Sequence, residues 1–176
     1  MTMIISDELA RILDYATDEA MRTGSGEVGV DHVVLAIVRD GENEAADILR
    51  MLGVDLQELK HFVESRLSRG VMVPYSHRDS VTVSRNVQGL VNVAMSEASS
   101  RGTGITGSAY VLSSIFSFPA GVGRAFLSEL GITKEAVLKL AAEVVQTGNE
   151  EAHATSLTHA GAGFIGISTG NNKIAS

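Results

Sequence analysis

Residues 29–38 read GVDHVVLAIV and follow EAMRTGSGE at 19–27. Val33, Val34, Leu35, Ala36, Ile37 and Val38 leave the segment without a polar face, so it predicts a helix in the middle of a domain. Seventy-eight positions after EAMR the chain reads EASSRGTGITGSAYVLSSIF, residues 97–116. The glycines and apolar positions recur. The charged pair does not: Ala109 and Tyr110 stand where Asp31 and His32 stand in the first copy.

The same shift aligns most of the chain with itself, without a gap. Gly24, Gly26 and Gly29 meet Gly102, Gly104 and Gly107, while Leu49, Leu52 and Gly53 meet Leu127, Leu130 and Gly131. Each copy reads as four helices. Leu9, Ile12, Leu13, Ala16 and Ala20 share one face of a first helix at about 6–22, with Ser6 as cap and Asp7 and Glu8 at its positive end. Gly24 stops it. Further helices fall at about 31–39, 43–52 and 56–68, the last opened by the capping-box pattern of Asp55 and Glu58. Copy two repeats them at about 84–100, 109–117, 121–130 and 134–146, with Ser84, Ser108 and Thr133 as caps. VMV and VTV in the 69–83 connector are candidates for extended backbone, but no sheet is expected. The predicted fold is all-α: a tandem duplication of a four-helix repeat, eight helices with pseudo-two-fold symmetry. The domain is expected over 1–148: repeat one at about 4–70, the connector to 83, repeat two at about 84–147. A Gly/Ser/Thr/Asn-rich tail is expected over 149–176.

Composition narrows the function. The 176 residues carry a formal charge of −7, which disfavours a basic nucleic-acid surface. There is no cysteine, hence no thiol nucleophile or thiolate metal site. No apolar run approaches the roughly 20 residues that span a bilayer, and MTMIISDELA lacks the features of a signal peptide. A soluble, cytoplasmic protein is expected, with neither nucleic acid nor membrane as partner and no cofactor.

The pattern A-x-x-E-A, G-x-G, then GVDHVVLAIVRDGENEAADILRMLGV resembles the Clp N-terminal repeat, which occurs in tandem at the front of the Hsp100/Clp unfoldases. The likeness spans about residues 4–147. It implies an all-helical, non-catalytic module that binds substrates or adaptors of an unfoldase–protease. The sequence contains no G-x-x-x-x-G-K-[ST] phosphate loop, so ATP hydrolysis by that chemistry is not expected of it. The character of its end suggests a free-standing protein rather than a fragment. An alternative is a small regulatory or stress-response protein that self-associates or competes with a Clp N-domain.

The resemblance implies candidate site residues. In some members the acid of this motif and a hydroxyl at the start of helix one bind phosphorylated arginine; Asp31 and Ser6 match them. A carboxylate pairs with guanidinium, and a hydroxyl with helix N-terminal amides holds phosphate. His32 completes the motif. Ser84 persists in copy two, but Ala109 replaces the acid there. The structural reading is that Asp31 caps or charges the start of its own helix and His32 donates to a neighbouring backbone group. Residues 1–78 carry fourteen acids and eight bases, whereas 79–148 carry five of each. Phe116 and Phe118 suggest either core packing or an apolar patch for a partner.

The tail holds two short motifs. GAGFIG at 161–166 fits a dinucleotide fingerprint but has no acid about 20 residues on. GISTG, around Ser168, fits a nucleophile elbow but no acid or histidine follows it. His153 and His159 are a weak metal-ligand pair. No catalytic or metal residue is assigned.

Overall fold

The computed structural model describes residues 4–118 and 121–146. The first compact unit runs to Ala141; of the second, which starts at Ala142, residues 142–146 are described, and they are helical. The tail motifs GAGFIG and GISTG, His153 and His159 lie outside the described residues.

The elements fall where the duplicated pattern places them. Helix α1 spans Asp7–Arg22, α2 Val30–Asp40, α3 Glu44–Met51 and α4 Leu56–Arg66. In the second copy, α5 spans Arg85–Ser100, α6 Ser108–Ser114 and α7 Val122–Glu129, and residues 134–146 form α8. The predicted second helix of copy two ends early, and a 3₁₀ turn, Ile115–Ser117, continues it. The ends follow local chemistry. Ser6 and Ser84 occupy equivalent caps, accepting from Leu9 N at 3.0 Å and Val87 N at 3.2 Å. Gly24 and Gly102 both adopt φ +79°, a left-handed turn that a side chain would strain.

The core is duplicated with the chain. Leu9 and Val87, Ile12 and Leu90, Val33 and Val111, and Leu59 and Val137 are all fully or almost fully buried. Ala16 and Ala20 on α1, like Ala94 and Ala98 on α5, are also buried. These small side chains let α2 and α6 lie closely on α1 and α5. Across the repeats, α3 packs on α6, α4 on α7, and α2 on both α5 and α7. Neither repeat closes its core alone.

The expectation of no sheet is corrected. Two minimal parallel pairs form: β1 (Ile4–Ile5) with β4 (Ile105–Thr106), and β2 (Glu27–Val28) with β3 (Thr82–Val83). Shifting by 78 carries Ile4 to Thr82 and Ile105 back to Glu27, so each pair is the other's image. Ser6 N donates to Thr106 O at 2.9 Å, and its counterpart Ser84 N donates to Val28 O at 3.0 Å. The strand before the first helix of each repeat is therefore completed by the other repeat. Two-residue strands carry no alternation for a pattern search to detect.

The connector is tied down rather than loose. Gly70 N donates to Thr23 O at 2.9 Å, and the two backbones approach so closely that a Cβ on Gly24 would meet Gly70 C at 2.2 Å. Arg78, in the 3₁₀ turn Tyr75–Ser80, binds the Asp18 carboxylate and donates to Asp14 O at 3.2 Å on α1. No single helix among the described residues is long and apolar enough to cross a membrane.

Candidate functional site

The motif residues are engaged within the fold. Asp31 sits in the first turn of α2, where its charge suits the helix start as one form of the expectation had it, but Gly29 and not Asp31 occupies the cap. Its two carboxylate oxygens accept from Val122 N at 3.0 Å and Gly123 N at 2.9 Å, the first amides of α7. These are amides with no partner inside their own helix, and a carboxylate also favours the positive helix end. Gly123 lets α7 approach α2 closely: a Cβ there would lie 2.9 Å from Val34 Cγ2.

The equivalent position in copy two is Ala109, which cannot reciprocate, so α3 needs another acceptor. Glu8 of α1 supplies it. One Glu8 oxygen accepts from Glu44 N at 2.6 Å and the other from Ser108 N at 2.8 Å, joining the N-termini of α3 and α6. Ser108 was expected to cap α6; instead Gly107 occupies the cap, and the Ser108 hydroxyl accepts from Ala45 N at 3.0 Å. Glu44 leans back to accept from Ala109 N at 3.3 Å. Its carboxyl lies against Gly107, where a Cβ would come within 2.4 Å of it. Burial, then the neighbouring Glu8, pushes the Glu44 carboxyl up to about 7. From the sequence Glu8 and Ser108 were read only as belonging to the starts of their own helices, and Glu44 was not singled out; the replacement of the acid by Ala109 is the signal that could have pointed to them.

His32 is almost fully buried. Its Nδ1 accepts from Gly29 N at 2.9 Å and its Nε2 lies 3.1 Å from the Thr23 hydroxyl. Since Nδ1 must be unprotonated to accept, the ring is the neutral tautomer that donates through Nε2 to Thr23. Thr23 in turn donates to Glu19 O at 2.9 Å. The imidazole thus receives a backbone bond rather than giving one, which corrects the expectation. Burial holds its pKa below the ordinary value, against the upward pull of Asp31 and Glu19. Ser6 and Ser84 are the helix caps already described.

Phe118 packs over α5, where a Cβ on Gly89 would lie 3.2 Å from its Cζ. Phe116 is half-buried. A more open aromatic feature lies between α4 and α7. Phe62 and Phe126 meet with centroids 5.0 Å apart in a groove of about 580 Å³, whose rim includes Asp55, Glu58, His61 and Arg66. Arg66 lies 3.7 Å over the Phe62 ring. Among the described residues no three His, Asp or Glu side chains converge as a metal site requires.

A family model for the Clp repeat (R) N-terminal domain matches residues 4–130. The chain belongs to that family. Its Clp relatives include the negative regulator of genetic competence ClpC/MecB of Bacillus subtilis, 27% identical over 128 residues, covering 73% of this chain and 15% of that protein. Another is the chaperone protein ClpB of Oceanobacillus iheyensis, 25% identical over 128 residues, again covering 73% and 15%. The chain therefore spans about 15% of the length of these relatives. Among solved Clp domains, the N-terminal domain of ClpD from Arabidopsis thaliana superposes with a TM-score of 0.64 at 14% identity, covering 81% of this chain and 94% of that one. The N-terminal domain of the ClpV1 ATPase from Escherichia coli gives 0.62 at 18% identity, covering 80% and 85%. These likenesses establish the helical Clp N-domain fold.

Proposed function

We propose that this chain is a non-catalytic protein-binding module that recognises substrates or adaptors of a Clp/Hsp100 unfoldase–protease in the cytoplasm. The observation that carries the reading is the family match over 4–130, laid on a fold in which the motif's charged residues serve helix ends. Cross-linking the intact chain in lysate, followed by mass spectrometry, should recover an Hsp100 protein or its clients. A tight homodimer by light scattering, with no Hsp100 protein or client among the cross-links, would overturn the reading.

Phosphoarginine recognition at Asp31 and Ser6 is the finer form of this proposal. Each Asp31 oxygen already accepts an α7 amide, and the Ser6 hydroxyl accepts from Leu9 N. We therefore read these groups as structural. A phosphoarginine peptide should bind wild type and Asp31→Asn equally. A tenfold loss in the variant, with its helical signal intact, would return the site to Asp31.

A further inference from the structure

The junction of α3 with α6 carries two acids where the junction of α2 with α7 carries one. Glu8 accepts from Glu44 N and Ser108 N with its two oxygens, and Glu44 Oε1 accepts from Ala109 N. Ser108 and Ala109 are consecutive, so the two carboxylates stand side by side on one helix end. Among the described residues neither acid forms an ion pair. Arg11, the cation of α1 near Glu8, is held by Asp40 through Nε at 2.7 Å. The other titratable groups felt by Glu44 are Asp47 on its own helix, which pairs with Arg50 at 3.2 Å, and the buried Tyr110 of α6. The Glu44 carboxyl is also walled in, lying against Gly107.

Two adjacent carboxylates without a cation do not both ionise freely, and the pair relieves its repulsion by holding one proton. Glu44 is the member that holds it, because burial and Glu8 both act on it in the same direction. The duplication shows that the fold does not demand this arrangement. The 78-residue shift carries Glu8 to Asn86 and Glu44 to Val122, and at that image Asp31 alone meets its two amides with both oxygens.

We propose that the α3–α6 junction is a proton-controlled joint, closed while Glu8 and Glu44 hold one proton between them and loosened when that proton leaves. Opening bares the amides of Glu44, Ser108 and Ala109 and leaves the Asp31–α7 junction shut. In the open joint Glu44 returns to the ordinary carboxylate range near 4.5, whereas in the closed joint it titrates at about 7. Opening therefore releases a proton, grows as pH rises between these values and levels off above them. The joint is independent of the protein-binding reading, which stands or falls on its own experiment.

The test is amide hydrogen exchange of the full chain followed by NMR at about pH 5 and about pH 7.5, with intrinsic exchange rates divided out. Protection of the Glu44, Ser108 and Ala109 amides should fall about fivefold between the two conditions, and that of Val122 and Gly123 should not change. Glu44→Gln keeps an oxygen for Ala109 N and removes the titrating proton, so its junction should show no such fall. Protection independent of pH in the wild type, an equal fall at Val122 and Gly123, or a fall of the same size in Glu44→Gln would overturn the proposal. Should that variant not fold, the wild-type Glu44 carboxyl, titrated by carbon NMR, decides: a midpoint raised towards neutrality supports the joint, and one in the ordinary carboxylate range overturns it.

Discussion

At one junction between the repeats a single side chain, Asp31, holds the start of α7; at its image, Glu8, Ser108 and Glu44 together hold the starts of α3 and α6. The backbone problem is the same in both places, two or more amides left open at a helix end. The difference is where the acceptor comes from. At the first junction it comes from the facing helix, and both of its oxygens are used. At the second, the facing position is Ala109, and a neighbouring helix compensates at the expense of two carboxylates in one partly buried spot. Duplicated folds keep the requirement and exchange the residue that meets it.

The largest break in this comparison should come from Asp31→Ala. It leaves two helix-end amides without their charged acceptor, a loss of about 2–3 kcal/mol. Urea unfolding measures it, and a loss no larger than that of an ordinary surface substitution would mean that α7 does not depend on Asp31. Gly123→Ala attacks the same junction through space. The added methyl would meet Val34, and lifting α7 from α2 should cost about 1–2 kcal/mol. At its image the residue is already alanine, Ala45, so Ala45→Gly should give a smaller loss, of the order of a cavity and a helix propensity rather than a clash.

Thr106 sharpens the comparison from the strands. It is fully buried and its hydroxyl has no partner, whereas its image, Val28, is an apolar residue of the same shape. Thr106→Val should therefore stabilise the protein by about 1 kcal/mol. An unchanged unfolding midpoint would show that the hydroxyl is satisfied in solution. The smallest effect should depend on pH. Glu44 titrates near 7 in the fold and near 4.5 unfolded, so the folded chain holds more protons between these values and stability falls as pH rises through them. Glu44→Gln keeps an acceptor without the charge. Its gain, about 1 kcal/mol or less after solvent screening, should appear above pH 7 and vanish towards pH 4.5. His32 acts with the opposite sign. Its folded pKa is depressed, so its contribution is present above about 6.5 and is lost as pH falls towards the folded value. In Glu44→Gln the acid side of the stability profile should therefore steepen.

The helices, their stops and the duplicated core were legible because they rest on side-chain periodicity and on glycines at forced turns. Leu9 with Val87 and Gly24 with Gly102 are examples that need no knowledge of the fold. The strands were not legible, since Ile4 finds Ile105 through backbone groups alone. The roles of Asp31 and Ser108 were misplaced for a related reason. Each residue lies at the start of a helix and was assigned to it, while its oxygen atoms serve a helix of the other repeat. His32 showed its identity but not its tautomer, which follows only from Gly29 and Thr23.

The reciprocal pairing of strands has a consequence for how the chain emerges during synthesis. Ile4 is made well before its hydrogen-bonding partner strand, which is not complete until Thr106. Until then the first repeat waits with an open edge and an unfinished core, a window in which self-pairing with another nascent copy competes with correct closure. A gene cut between the halves would make that window permanent, and its product should meet its own likeness in place of the missing half.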